Sequence, residues 1–177
     1  MKNIHIQYLK INNLDLILGS YDNKLCLLDY RYRVKRDTID KRIQDLLNAK
    51  YVNQDDEVLQ KTRIQLKEYL QNKREQFDIP LLLVGSDFQK SVWEALLKIP
   101  YGETSSYKEQ SLSIGNEKAV RAVANANGAN AIAIIVPCHR IIGSNGKLTG
   151  YAGGLETKQM LLNCESKGIK DEYKHTR

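Results

Sequence analysis

Cysteine is scarce in this 177-residue chain: Cys26, Cys138 and Cys164 are an odd number at wide spacings. That argues against a disulfide-stapled scaffold. Cys138, His139 and Cys164 lack paired-ligand spacing such as C-x-x-C, and His5 and His175 stand near the termini, so no metal site is expected. No segment approaches the ~20 consecutive apolar residues that span a bilayer. Met1 to Gln7 has no long apolar run either, and the expectation is a reduced, cytoplasmic protein with no membrane association. A glycine-rich dinucleotide fingerprint is also missing, and no cofactor is expected.

A hydrophobic content of 42% is enough for one sizeable core or two small ones. The net charge of +6, with a pI near 9.1, suits a polyanionic partner, because Lys and Arg beside phosphates release counterions. This charge is shared evenly on either side of Gly85, so neither half is a basic module.

Ile4, Ile6 and Tyr8, then Leu14, Leu16 and Leu18, then Leu25, Leu27 and Asp29 through Tyr32 follow the two-residue period of half-buried strands. Asp22-Asn23 marks a turn between two of them. From Arg36 the period becomes helical, with Ile39, Ile43, Leu46 and Leu47 on one face, and a second helix is predicted from about Asp56 to Gln76. The run Pro80 to Val84 predicts another strand, and Gly85 the boundary between an α/β domain (1–85) and a second, mostly helical domain (86–177). Ser86-Asp87-Phe88-Gln89 fits a capping box, opening a helix with Phe88, Val92, Trp93, Leu96 and Leu97 on one face until Pro100. Thr104 to Ser106 caps a short helix through Ile114, Gly115-Asn116 supplies a turn, and Glu117 to about Asn127 is an Ala-rich helix. Two short helices about such a turn outline a helix-turn-helix unit.

Chemistry concentrates between Ile132 and Gly154. The aliphatic run Ile132 to Val136 predicts a buried strand that Pro137 ends, so Cys138 and His139 emerge where it stops. A free thiol with pKa ~8.5 is mostly protonated at neutral pH and needs a base to act as a nucleophile. His139 is the candidate base, directly if the backbone turns and otherwise through one water. Glu165, ending the helix-like stretch Leu155 to Cys164, is the candidate carboxylate that orients the ring. Cys26 and Cys164 are expected to be packing residues.

Pro137-Cys138-His139-Arg140 and Gly150-Tyr151-x-Gly153-Gly154 resemble the O6-alkylguanine-DNA alkyltransferases, also called methylated-DNA–protein-cysteine methyltransferases. The resemblance runs from about Ser86 to Glu165. It includes Trp93, Ile99-Pro100-x-Gly102-Glu103-x-x-Ser106-Tyr107, Ile114-Gly115-Asn116 and Lys118-Ala119-Val120-Arg121-Ala122-Val123. It implies a ribonuclease-H-like N-terminal layer followed by a winged-helix-like domain. It also implies irreversible, single-turnover transfer of an alkyl group from O6-alkylguanine in double-stranded DNA to Cys138, by a monomer bound at the minor groove.

By the same resemblance, Asn130 bonds the turn beside the nucleophile and the hydroxyl of Tyr107 donates to guanine N3. Tyr151 walls the pocket; Ile141 and Ala152 meet the guanine edge through their backbone. Gly153 keeps that loop thin, and Lys158 stands near it. Arg121 fills the place of the extruded base, with Ala119, Ala122 and Ala126 allowing close approach to DNA. A non-catalytic alkyl-lesion-binding protein is the alternative; such relatives lack the acceptor cysteine. Glu109 to Ser113 is more polar than is usual in the family, and Asn127 and Gly128 stand where relatives can carry bulkier or basic groups.

Overall fold

A computed structural model describes residues 2–168. Three antiparallel strands, β1 (Ile4–Ile11), β2 (Leu14–Tyr21) and β3 (Lys24–Tyr30), are extended by β4 (Tyr51–Asn53), parallel to β1, giving the order β3-β2-β1-β4. The Asp22-Asn23 turn has positive φ at both residues (52° and 62°), the geometry that matches the right-handed twist of a hairpin. Side chains alternate across β2: Leu16 and Leu18 face one hydrophobic cluster and Ile17 the other. Along β3 the alternation slips, because the pairing jumps from Gly19↔Leu27 to Ser20↔Leu25 and leaves Cys26 in a bulge. Leu25 and Leu28 consequently share one face, and Cys26 and Leu27 the other.

The helix α1 (Arg36–Leu47) buries Ile39 and Ile43 against one face of the sheet. On the opposite face α2 (Glu57–Leu70) packs Leu59, Leu66 and Tyr69. This helix ends at Leu70, short of the predicted Gln76, where Asn72 turns left-handed (φ 58°). The cluster against α2 does not stop at Gly85: it takes in Val92, Trp93 and Leu96 of α3 (Asp87–Leu96) and Ile132 to Val136. Ser86 and Gln89 form the predicted capping box at the start of α3. A helix-turn-helix pair follows, α4 (Tyr107–Ser113) and α5 (Val120–Gly128), with Gly115 at φ 77° between them. Gln110 and Asn127 exchange two side-chain amide bonds of 2.8 Å in its buried centre. The polar departure in α4 and the one at Asn127 are thus two halves of one contact.

Two predicted strands are not strands. Pro80 to Val84 makes a single bridge, Leu81 to Leu25. Ile132 to Val136 likewise bridges β3 only at Ile132–Leu28 and then coils into tight turns, with Ile134 at φ 72°. A β-branched residue rarely adopts that conformation. It is held by bonds from Ala133 N to Leu28 O (2.6 Å) and from Val136 N to Ile132 O (3.0 Å). An aliphatic run records burial, which a buried turn and a buried strand share. Both segments cover the open edge of β3, so the residues leading to Cys138 hang from the N-terminal sheet.

Beyond Pro137, the 3-10 turn Cys138–Arg140 leads into β6 (Ile141–Ile142), which pairs in parallel with β5 (Ser105–Ser106). The last described helix is α6 (Leu155–Lys167). No helix among the described residues is long and apolar enough to cross a membrane. The basic tail predicted after Ser166 falls mostly on 169–177, outside the described residues, as does His175.

Leu28 is fully buried and its backbone carries the 131–133 segment. Leu28→Ala is expected to lose about 2–5 kcal/mol of unfolding free energy, measured by urea denaturation.

Candidate active site

Cys138 follows Pro137 at the start of the 3-10 turn, partly exposed on the wall of a cavity of about 460 Å³. That volume lies within the ~300–1,000 Å³ range of small-molecule pockets. A larger hollow of about 800 Å³ runs along α1, and neither cysteine nor histidine lines it.

Asn130 holds the nucleophile's turn. Its Nδ2 donates to Val136 O (2.9 Å) and to Cys138 Sγ (3.3 Å), and its Oδ1 accepts from Ile132 N (2.9 Å). One buried amide therefore fixes both ends of the strained turn and the sulfur.

Behind Cys138, His139 is fully buried, with Nε2 2.7 Å from Glu165 Oε2. Burial pushes its pKa below the ordinary 6.5, and the bond to Glu165 offsets only part of this. Burial would raise the Glu165 carboxyl. Hydrogen bonds from His139, Arg140 and Tyr69 outweigh it and hold the carboxyl at about 2. A neutral imidazole beside an ionised carboxylate donates from Nε2, which leaves Nδ1 as the proton acceptor. Nδ1 is buried and has no hydrogen-bond partner among the described residues.

Glu165 is the hub of this arrangement. It accepts from Arg140 Nε (2.8 Å) and Nη2 (3.0 Å), from the Tyr69 hydroxyl (2.6 Å) and from Gly102 N (3.3 Å). The second Nη of Arg140 donates to Ile99 O (2.6 Å). Burial pushes the Cys138 thiol up; the Asn130 amide, Lys158 and Arg33 pull it down, against Asp29. The resting sulfur is a thiol whose proton has to be taken away.

Tyr107, Tyr151 and Ala152 line the cavity with Cys138, as do Asn127, Gly128 and Arg33. The Tyr107 hydroxyl pairs with Thr149 Oγ1 (2.8 Å) and the Tyr151 hydroxyl with that of Tyr30 (2.7 Å), the two rings meeting edge to face. Gly153 sits against the Tyr30 ring so closely that a Cβ there would lie 2.5 Å from it. Lys158 is no solvated helix lysine: it is fully buried, and its Nζ donates to Thr149 O (3.1 Å) behind the cavity wall.

Other predicted residues are placed elsewhere. Ile141 is buried in β6, off the cavity wall, with its N–H bonded to Cys138 O. Arg121 and Ala122 are exposed on α5. Ala119 and Ala126 are not: they are buried, and their small size serves packing within the helical core.

The sequence reading missed Arg140, Tyr69, Tyr30 and Arg33. Arg140 carried a signal, since a guanidinium next to a buried histidine requires a nearby carboxylate. Tyr69 and Tyr30 read as apolar positions of a helix and a strand, and Arg33 had no local mark.

A hollow with a cysteine on its wall, followed in the chain by a histidine bonded to a carboxylate, fits a candidate nucleophilic site for a ligand of modest size. The model of the 6-O-methylguanine DNA methyltransferase DNA-binding domain matches residues 87–167. The methylated-DNA–protein-cysteine methyltransferase of Methanosarcina barkeri is 58% identical over 106 residues, covering 60% of this chain and 67% of that protein. The crystal structure of the Mycobacterium tuberculosis O6-methylguanine methyltransferase superposes with a TM-score of 0.80 at 36% identity, covering 98% of this chain and 99% of the other. The OGT of that organism in complex with DNA gives 0.78 at 38% identity, covering 96% and 98%. The chain belongs to the methylated-DNA–protein-cysteine methyltransferase family.

Two variants test the geometry. Glu165 has a carboxyl held at about 2 against 4.5 when unperturbed, so its stabilising contribution is complete above pH 4.5 and is lost as the pH falls through 2. Glu165→Gln should remove that stretch of the acid-unfolding curve. It should also cost about 3–5 kcal/mol at neutral pH, because Arg140 keeps a buried charge without its partner. Gly153→Ala should push Tyr30 and Tyr151 out of place and slow alkylation of Cys138 by about 10-fold or more, followed by mass spectrometry.

Proposed function

We propose that this protein repairs alkylated DNA by direct reversal, moving the alkyl group of O6-alkylguanine onto its own Cys138, once per molecule. The observation that carries this reading is the series Cys138, His139 and Glu165 behind a cavity wide enough for a small ligand. A base in the duplex stack cannot meet that sulfur, so the damaged nucleotide rotates out into the cavity at an unstacking cost of a few kcal/mol. Arg121, exposed on α5, occupies the vacated place, with Ala122 at the minor-groove surface.

In the pocket, Tyr107 faces guanine N3, and the backbone about Ala152 reads the O6 edge. His139 Nδ1 takes the Cys138 proton through a water. The thiolate attacks the alkyl carbon, a carbon–sulfur bond forms and the carbon–O6 bond breaks. The electron pair passes to the guanine, which takes the Tyr107 hydroxyl proton; solvent returns a proton to Tyr107, and the imidazolium releases the thiol proton to solvent. The proton count closes, with one leaving the thiol and one joining the base. No group here reopens a thioether, which makes the transfer single-turnover.

Residues 86–177 form the catalytic, DNA-binding unit, winged-helix-like in outline. Residues 1–85 form a ribonuclease-H-like layer, a reading supported by the strand order β3-β2-β1-β4 with β1 and β4 parallel. The protein works as a cytoplasmic monomer. O4-alkylthymine carries the same kind of alkyl–oxygen bond and is a second candidate substrate for this displacement. The alternative, a sensor that binds lesions without transfer, is disfavoured by the thiol on the cavity wall.

Incubation with duplex DNA carrying O6-methylguanine should add one methyl to the peptide that contains Cys138, saturating at one per protein, and Cys138→Ala should accept none. Lesion removal in repeated cycles on unlabelled protein, or tight binding with neither product, would defeat the reading.

A further inference from the structure

The last carbonyls of a helix have no partners within it, and its C-terminus carries partial negative charge. At the end of α5 the N–H groups of Ala129 and Asn130 serve the carbonyls of Asn125 to Asn127, and the donors for the carbonyls that follow come from the N-terminal layer. Arg33 Nη2 donates to Gly128 O (2.5 Å), Arg42 Nη2 to Ala129 O (2.9 Å) and Arg33 Nη1 to Asn130 O (3.4 Å). Leu28 N continues the series to Ala131 O (2.8 Å). Four consecutive carbonyls between α5 and the turn that carries Cys138 are thus gripped from the sheet side.

Each arginine is itself anchored. The Arg33 side chain is 6% exposed and pairs with fully buried Asp29 (3.2 Å), which also holds Arg36 (3.0 Å). Arg42 donates through Nε to Val84 O (3.1 Å) and lies over the Trp93 ring, whose own Nε1 donates to Ala126 O (2.9 Å) one turn back in α5. The gripped segment contains Asn130, the residue that bonds Cys138 Sγ. Arg33 also lines the cavity.

We propose that Arg33 and Arg42 are positioning residues for alkyl transfer: from the N-terminal layer they lock the end of the DNA-facing helix to the turn that aims the Cys138 sulfur. The inference rests on the transfer reading above and gives residues 1–85 a part in the reaction. A lysine keeps the charge at either place but not the planar fork, and Arg33 needs the fork because it bonds two carbonyls and a carboxylate at once. An error of about 1 Å in the line from sulfur to alkyl carbon can slow transfer about 100-fold.

The test uses the full chain and duplex DNA bearing O6-methylguanine at saturation. Arg33→Lys and Arg42→Lys should each slow methylation of Cys138 about 10- to 100-fold, with affinity for unmodified duplex unchanged. Alkylation of Cys138 by iodoacetamide, which needs no DNA, supplies a pH profile. Arg33→Gln should move its midpoint upward and Arg33→Lys should restore it, while Arg42→Lys leaves it in place. Transfer at the wild-type rate in both lysine variants would overturn the proposal. So would a loss that only matches the fall in folded fraction measured by thermal unfolding. If Arg33→Gln does not fold, the transfer rate of Arg42→Lys decides. Failure of the wild-type protein to take up the methyl group would instead sink the transfer reading itself.

Discussion

One buried carboxylate organises the catalytic end of this molecule. Glu165 reaches from α6 to the 3-10 turn through His139 and Arg140, to α2 through Tyr69 and to the loop after α3 through Gly102 N. A carboxylate with so little solvent is costly unless every lone pair is used, and here both oxygens accept from cationic and neutral donors at once. Because Arg140 supplies the compensating charge, His139 need not, and the imidazole remains neutral with Nδ1 free to accept. The electrostatics of the hub and the chemistry of the sulfur are one problem with one solution.

Around that hub the two halves of the chain are interleaved. The bulge at Cys26 turns Leu25 and Leu28 toward the shared core, and the open edge of β3 receives the segment that leads to the nucleophile. Substrate-side groups are held from behind in the same manner: Tyr151 leans on Tyr30 of β3, and Tyr107 on Thr149, whose carbonyl takes the buried ammonium of Lys158. The residues lining the cavity are thus braced by contacts made behind them.

Much of this was legible in the sequence, for identifiable reasons. The strands β1 and β2, the capping box at Ser86 and the helix pair about Gly115 depend on neighbours in the chain and stand close to where pattern placed them, whereas β3 loses its period at the Cys26 bulge. Cys138, His139 and Glu165 were legible because thiol, imidazole and carboxylate have few common uses together. What stayed hidden depends on tertiary partners. Ile132 to Val136 reads as a strand because its aliphatic composition reports burial but not backbone path, and only the bonds to β3 and Asn130 force its turns. Tyr69 and Arg33 look ordinary until residues 96 and 95 positions away are brought against them. The resemblance put Lys158 near the loop, but nothing in a helical Leu-Glu-Thr-Lys run announces that its ammonium is buried.

The span of those bonds bears on how the protein is made. Tyr69 and Gly102 meet Glu165 across 96 and 63 residues, and α6 is the last helix described. Loops of that length close late in folding. Until α6 docks, the His139 imidazole has no anion to orient it. Under the transfer reading, arming of the Cys138 sulfur therefore waits on the docking of α6, which brings the carboxylate to His139.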